Sequence, residues 1–338
     1  MSLFATIAAG AQLCAGCALE FEVRDTLGSL EDPAGIGTFA EMAEVGDQGY
    51  LVSSEILGGV VIVYDASGHY GRELTREGEG PGELLSRPTF AVGTDGVLMH
   101  EPGSARLHLF SLDLSFQKTF LLPGIAQIGS IQPDPATNGW LVAATGTDLR
   151  EKIVFILDRD GSVLRTMPGD HSGAGWLRNV IRGLDGMIWS AGPFGLVEVY
   201  DENMVIKGSV QLELPGTEGW EPGVAPGSPA AVMAVRPAPE GAGVWVFAIA
   251  PEDSIAELSI DDMRTAFMDR TRPLEQKGDA FVYWVDLTPD GLELLGRDRF
   301  DTLVRPLGYG DLAYDIVETP DGNRRVRVGR LRFTRGEG

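Results

Sequence analysis

Few residues of this 338-residue chain have both the type and the spacing for chemistry. Cys14 and Cys17, the only cysteines, have the Cys-x-x-Cys spacing of a redox or metal pair. No histidine follows Cys17, and no second pair exists to complete a four-thiolate zinc site. The four histidines, His69, His100, His108 and His171, fall in four different contexts, with no i, i+4 pair among them, and no serine sits in a nucleophile elbow. Asp158-Arg159-Asp160-Gly161 opens like a calcium loop but lacks the later ligands, and it reads as a hairpin turn. Three arginines recur in similar settings: Arg182 in Val-Ile-Arg-Gly, Arg236 in Ala-Val-Arg-Pro and Arg305 in Leu-Val-Arg-Pro. Guanidinium groups set around one channel mouth would hold an anion or a partner's carboxylate; the other reading is that each pairs with an acidic neighbour. No set of residues reads as catalytic or metal-binding, and none calls for a cofactor.

These candidates are carried by a repeat. A turn glycine followed by a short apolar run occurs as Gly49-Tyr50-Leu51-Val52-Ser53, Gly96-Val97-Leu98-Met99-His100, Gly139-Trp140-Leu141-Val142-Ala143, Gly186-Met187-Ile188-Trp189-Ser190 and Gly243-Val244-Trp245-Val246-Phe247. A weaker sixth copy is Gly310-Asp311-Leu312-Ala313-Tyr314. Asp47, Asp95, Asn138 and Asp185 stand one or two places before their glycines, as in hairpins whose turns need positive φ. A second strand follows (60–64, 106–110, 152–156, 196–200, 281–285), then a turn, then a more polar strand such as 69–75 or 116–121. Each unit therefore reads as four short antiparallel strands. Six such units make an all-β chain, a six-bladed β-propeller over residues 19–335. The last unit ends with its third strand, at 324–333. Leu19-Glu20-Phe21-Glu22-Val23, alternating in polarity ahead of the first unit, is expected to supply the missing outer strand and close the ring.

Composition agrees. Gly 45 and Pro 20 suit many short strands and turns, and 43% hydrophobic with 22% charged residues is a globular balance. Lys+Arg 27 against Asp+Glu 49 leaves net charge −22, which a phosphate backbone would repel, so nucleic acid is not an expected partner. The first charged residue is Glu20. Within residues 1–18, Leu3-Phe4-Ala5-Thr6-Ile7-Ala8-Ala9-Gly10-Ala11 resembles the apolar core of a secretory signal. Leu13-Cys14-Ala15-Gly16-Cys17 resembles a bacterial lipobox with Cys17 as the acylated residue, although Cys14 holds the usual leucine position and no basic residue precedes the apolar run. Retained instead of cleaved, the segment is barely long enough to serve as a membrane anchor. The expectation is an exported, membrane-anchored chain, periplasmic or on the cell surface.

Gly78-Glu79-Gly80-Pro81-Gly82-Glu83-Leu84 follows the first unit. It resembles the Gly-x-Gly-Pro-Gly-Glu-(aromatic or Leu) signature of a broad family of bacterial six-bladed propeller proteins, many of them exported lipoproteins. In that family an Arg-Asp-(Ser or Thr) segment commonly opens the mature chain, here Arg24-Asp25-Thr26. The resemblance implies fold and export, and no reaction. Read as residues, three glycines and a proline in seven make a rigid crossing between blades. A phosphate cradle would need a following Lys or Ser/Thr and a helix.

Lactonases and other enzymatic six-bladed propellers hold a metal on the axis with Glu, Asn and Asp of the inner strands. The inner strands expected here (39–45, 89–93, 129–133, 179–183, 231–236, 303–306) offer Glu41, Glu44, Gln132 and Asn179, too few acids and poorly matched in register for a hard cation. A lactonase-like metal-dependent hydrolase is one alternative, a soluble small-ligand sensor another. The favoured site is a face. Residues 251–279 read as a short helical insertion in the fifth unit: Ser259 caps it, Ile260, Met263 and Phe267 share a side, and Pro273 ends it. The crossings 215–229 and 168–176 carry Trp220 and, with His171, Trp176. All three segments emerge on one face, so Trp176, Trp220, Met263 and Phe267 form a candidate protein-binding surface, unless they fold back onto the blades. The stretch 324–338 holds six arginines in an acidic chain; it meets acidic lipid or an acidic partner or, the preferred reading, pairs with Glu20, Glu22 and Asp25 across the closure. The whole reads as a non-catalytic, membrane-tethered binding or scaffolding module, in its most specific form an accessory extrinsic subunit of a bioenergetic membrane complex.

Overall fold

The structure, a computed structural model, describes residues 18–29, 32, 36, 40–102, 104–147, 152–168, 179–192, 195–215, 230–238, 243–251, 262, 278–308, 310–320 and 322–334. After an opening strand β1 (Ala18–Leu27), five blades follow in chain order. Blade one is β2 (Ala40–Glu44), β3 (Tyr50–Ser54), β4 (Ile62–Tyr64) and β5 (Tyr70–Glu73). Blade two is β6 (Thr89–Val92), β7 (Gly96–His100), β8 (Arg106–Ser111) and β9 (Phe116–Leu121). Blade three is β10 (Ile125–Asp134), β11 (Gly139–Gly146), β12 (Lys152–Leu157) and β13 (Val163–Pro168). Blade four is β14 (Asn179–Arg182), β15 (Ile188–Ala191), β16 (Leu196–Tyr200) and β17 (Ile206–Gln211). Blade five is β18 (Ala231–Pro237), β19 (Val244–Pro251), β20 (Gly278–Thr288) and β21 (Gly291–Phe300). Blade six is β22 (Arg305–Pro306), β23 (Leu312–Glu318) and β24 (Arg324–Thr334), completed on its outer edge by β1. Every pairing is antiparallel, so the expected six-bladed, four-stranded propeller is the fold. The expected helical insertion lies outside the described residues apart from Asp262, which is helical. Among the described residues no helix is long and apolar enough to cross a membrane.

The second strands are apolar at consecutive positions because both of their faces are buried, which removes the usual alternation with polar residues. In β11, Trp140, Val142 and Ala144 pack toward blade two, while Leu141 and Ala143 pack toward blade four. In β19, Val244, Val246 and Ala248 face blade four, and Trp245 and Phe247 face blade six. The described apolar core accordingly falls into six clusters, one at each interface between neighbouring blades. At Gly49, Gly96, Gly139 and Gly243 the repeated glycine has a steric cause beyond turn chemistry, and a Cβ on Gly139 would stand 2.0 Å from the Leu157 carbonyl oxygen of the third strand. A side chain there would push the third strand away. Gly186 and Gly310 meet no such neighbour and have positive φ instead.

Ring closure is the full-length ladder between β1 and β24. It runs from Ala18 opposite Thr334 to Leu27 opposite Val326, with a register shift between Val23 and Asp25. Leu27, fully buried, enters the cluster between blades six and one, and Leu19 and Phe21 pack against the one between five and six. Three of the C-terminal arginines pair with three carboxylates on the two sides of β24. Arg332 meets Glu22 of β1 at 2.6 Å, as expected, but Arg330 meets Asp311 at 2.9 Å and Arg327 reaches buried Asp315 on β23. Because Arg332 and Glu22 are both more than half exposed, that pair adds little to closure, and burial carries it. Leu27→Ala is expected to lower the unfolding free energy in urea by about 3 kcal/mol. Val23→Ala, on the same strand but 42% exposed, should cost less than about 1 kcal/mol. Equal effects would show that β1 is not part of the closed core.

Candidate functional site

The strand ends define two faces. Turns from first to second and from third to fourth strands lie on one, here the hairpin-turn face. Loops from second to third strands and blade-to-blade crossings lie on the other, the crossing face. The three axial arginines do not share one level. Arg182 and Arg236 pair with Ile188 and Trp245, each two residues past its turn glycine, whereas Arg305 pairs with Tyr314, four past Gly310. Each guanidinium clasps an adjoining blade. Arg182 holds Asp134 of β10 by two bonds, Nε to Oδ1 at 2.6 Å and Nη2 to Oδ2 at 3.2 Å, and donates to the Gly186 carbonyl at 2.9 Å. Arg236 donates to the Gly308 carbonyl of blade six at 2.7 Å. Arg305 donates to the Ala40 carbonyl of blade one at 2.7 Å, an oxygen that also accepts from the Tyr314 hydroxyl at 3.0 Å. The fork geometry of arginine, offered to a neighbouring carboxylate or carbonyl, stitches sheets together here.

The four oxygen donors of the inner strands separate as well. Glu41 and Asn179, opposite Ser53 and Ala191, lie toward the crossing face; Glu44 and Gln132, opposite Tyr50 and Leu141, lie toward the hairpin turns. Among the described residues no three His, Cys, Asp or Glu side chains come together as a metal site would require. The Asp158–Gly161 segment is a hairpin turn: Gly161 N donates to the Asp158 carbonyl at 3.0 Å and Ser162 N to its carboxylate at 2.7 Å.

A buried polar network in blade two was not anticipated from sequence. Glu101, 1% exposed, accepts from the backbone N–H groups of Leu85 and Ser86, the latter at 3.2 Å, from His108 Nε2 at 3.2 Å, and pairs with Arg106 at 3.3 Å. His108 Nδ1 lies 3.0 Å from the Thr119 hydroxyl. Burial lowers the pKa of His108 despite the opposing Glu101, so the ring is neutral at pH 7, donating from Nε2 and accepting at Nδ1. The carboxylate thus pins the exit of the crossing from blade one. The entry of that crossing is folded on itself: Glu83 accepts from Gly80 N at 2.8 Å, and a Cβ on Gly59 would stand 1.9 Å from the carbonyl oxygen of fully buried Leu84. The Gly78–Leu84 motif is therefore a structural knot between two blades. The available signal was His108, a polar residue between buried Leu107 and Leu109 in the middle of β8.

A cleft of about 380 Å³ lies on the hairpin-turn face between blades two and three. Its walls include Thr94, Asp95, Gln117, Lys118, Asn138 and Arg159. Asn138 Nδ2 donates to Asp95 at 2.8 Å across the blade boundary, and Arg159 stands 3.8 Å from the same carboxylate. The groove thus mixes hydrogen-bond donors and acceptors. This cleft lies on the face opposite the one favoured from sequence. Cys17, Trp176, Trp220, Met263, Phe267 and His171 lie outside the described residues.

No family model matches the sequence, and no curated protein matches it significantly. In structure the chain is similar to a DUF4221 family member from Bacteroides vulgatus, with TM-score 0.59 and 10% identity over 94% of this chain and 99% of that one. It is also similar to a Bacteroides fragilis protein predicted to be exported, with TM-score 0.55 and 9% identity over 95% and 96%. A third likeness is to hydrazine synthase of Kuenenia stuttgartiensis, with TM-score 0.50 and 12% identity over 86% and 77%. At these identities the likeness is one of propeller fold.

Two outcomes test the polar clasps. Arg182→Met leaves the Asp134 carboxylate, whose side chain is 0% exposed, without its charge partner, and should cost about 3–5 kcal/mol in urea unfolding. Adding Asp134→Leu should restore most of it, and a double variant no better than the single would refute the clasp. Burial pushes the pKa of His100 down to about 4. The unfolded chain therefore takes up that proton first; the contribution is complete above about pH 6.5 and falls by about 3 kcal/mol as the pH drops to 4. In His100→Gln that component should vanish, flattening the fall in denaturation midpoint between pH 7.5 and 4.5.

Proposed function

We propose that the protein is an exported, membrane-tethered propeller that acts without catalysis and holds a protein partner on its crossing face. One observation carries this reading. The connections 169–178, 212–230 and 252–277 all join strand ends on that face of blades three to five, whereas no connection on the hairpin-turn face exceeds the six residues 238–243. In propellers, as in other rigid scaffolds, long loops on one rim are where recognition is built. Trp176, Trp220, Met263 and Phe267 are the anchors we assign within those segments, of the aromatic and methionine types that dominate protein contacts. Export and tethering are supported by the uncharged stretch before Ala18, the lipobox-like Cys17 and the likeness to a Bacteroides fragilis protein predicted to be exported. An extrinsic accessory subunit of a larger membrane complex, bioenergetic in its most specific form, is the role that fits a tether combined with a loop-bearing face.

A second reading, a small-ligand sensor, is favoured by the cleft between blades two and three. It predicts a rise in melting temperature with neutral oligosaccharides that Asn138→Ala abolishes. For the primary reading, the wild type and a deletion of 253–276 are compared by co-purification from detergent-solubilised membranes. The expected result is at least a tenfold loss of the co-purifying partner with an unchanged melting temperature; partners retained in full would overturn the choice of face. Cys17→Ser should move the protein from the membrane to the soluble fraction.

A further inference from the structure

We infer that the tethered propeller lies with its hairpin-turn face flat on a zwitterionic lipid surface, touching headgroups through blades two to four. This deepens the tethering proposed above by assigning its geometry, and it rests on that reading.

The first ground is where the chain enters the fold. Strand β1 begins at Ala18, bonded directly to Cys17, so an acyl group on Cys17 and a retained apolar segment would both join the propeller at the same point. Ala18 pairs with Thr334, the last residue of β24. In the other five blades that end of the third strand turns into the fourth, so the attachment point is on the hairpin-turn face of blade six. No spacer intervenes. One residue of chain spans at most about 3.5 Å, which holds that edge of the blade at the interface.

The second ground is the opposite end of the same diameter. Blade three stands across the ring from blade six. On the hairpin-turn side of blades two, three and four the described surface exposes Leu112, Val163, Leu164, Leu184, Val205 and Ile206, with Leu184 at 65% and Leu164 at 57%. Scattered single apolar residues need no explanation, but six on one side of three consecutive blades form a belt. Among the described residues the crossing face exposes Ile56, Leu85 and Leu121 in blades one and two and Met233, at 37%, near the crossing end of β18. An anchor at one end of the diameter and an apolar belt at the other fix a disc flat, where an anchor alone would leave it free to stand on edge.

The third ground is charge, which selects the lipid. The exposed turn carboxylates Asp47, Asp65, Asp95, Asp113, Asp160 and Asp290 lie on this face, where they outnumber the exposed Arg159 that stands beside Asp95 and Asp160. An anionic surface would repel them within a Debye length, whereas ethanolamine headgroups offer them ammonium donors. The cleft between blades two and three then opens toward headgroups, and the crossing face points away from the bilayer, free for a partner.

The full-length protein in vesicles of phosphatidylethanolamine and phosphatidylcholine tests this. p-Benzoylphenylalanine is placed singly at Leu164 or Leu184 and, as controls, at Ile56 or Leu85; all four side chains are exposed, so the fold tolerates the change. Irradiation should give at least fivefold more lipid adduct at Leu164 and Leu184 than at the controls, and several-fold less at those two positions when phosphatidylglycerol replaces phosphatidylethanolamine. Equal or reversed yields in protein that floats with the vesicles would overturn the orientation while leaving the tether intact. Adducts to a second copy of the chain would overturn it in favour of self-association. Yields indifferent to phosphatidylglycerol would overturn the zwitterionic preference. Failure to float with either vesicle would refute the tether and the orientation with it.

Discussion

Each blade of this protein is apolar on both faces, and a sheet of that kind cannot end. A terminal blade with one face in water would expose a wall such as Trp245, Phe247, Val282 and Trp284. The ring is the arrangement in which every such wall meets another, and the described core is divided among six interfaces. The two chain ends must then be neighbours. Residue 18 lies beside residue 334, a contact of nearly maximal sequence separation, which makes closing the ring the entropically costly step of folding.

Between the apolar walls, charge is used sparingly and at junctions. Asp134 with Arg182 joins blades three and four; Glu101 ties blade two to the crossing that enters it; Asp315 with Arg327 and Thr302 braces blade six, which has a two-residue inner strand. Buried groups of this kind are costly to leave half-paired and contribute little beyond an apolar substitute when fully paired, so their value lies in fixing one registry between sheets. In a chain of net charge −22, several acids serve turns, where Asp65, Asp113 and Asp201 accept backbone N–H groups two residues on. Their carboxyl groups are held below the usual range, Asp65 chiefly by the His69 backbone N–H, Asp113 by the Ser111 hydroxyl and Asp201 by the Lys207 ammonium, with the turn amides adding to each.

Much of this was legible from residue order alone, because the repeat couples two independent signals: a glycine forced by close backbone approach or by positive φ, and an apolar run forced by two-sided burial. Together they located the six blades, and the alternating segment at Phe21 located the closing strand. The arginines show the limit. Arg182, Arg236 and Arg305 look alike in sequence, but their levels along the axis depend on turn length and register, and the sixth turn shifts Arg305 by two residues. Glu101 was invisible for another reason. Its partners are the backbone amides of Leu85 and Ser86, brought near by the coiling of a glycine-rich crossing, and no side-chain pattern encodes that meeting. The same holds for the cleft between blades two and three, whose walls come from four separate turns and an outer strand.

The closing strand also sets how the molecule bears a load. A pull on the residues ahead of Ala18 acts along β1, at right angles to the hydrogen bonds that join it to β24. All the rungs are then stressed together in shear, so none can be peeled off before the next. A ring is ordinarily weakest at its seam. Here the direction of the seam makes it a mechanical clamp, because any force drawn through the chain ahead of Ala18 strains the whole ladder at once.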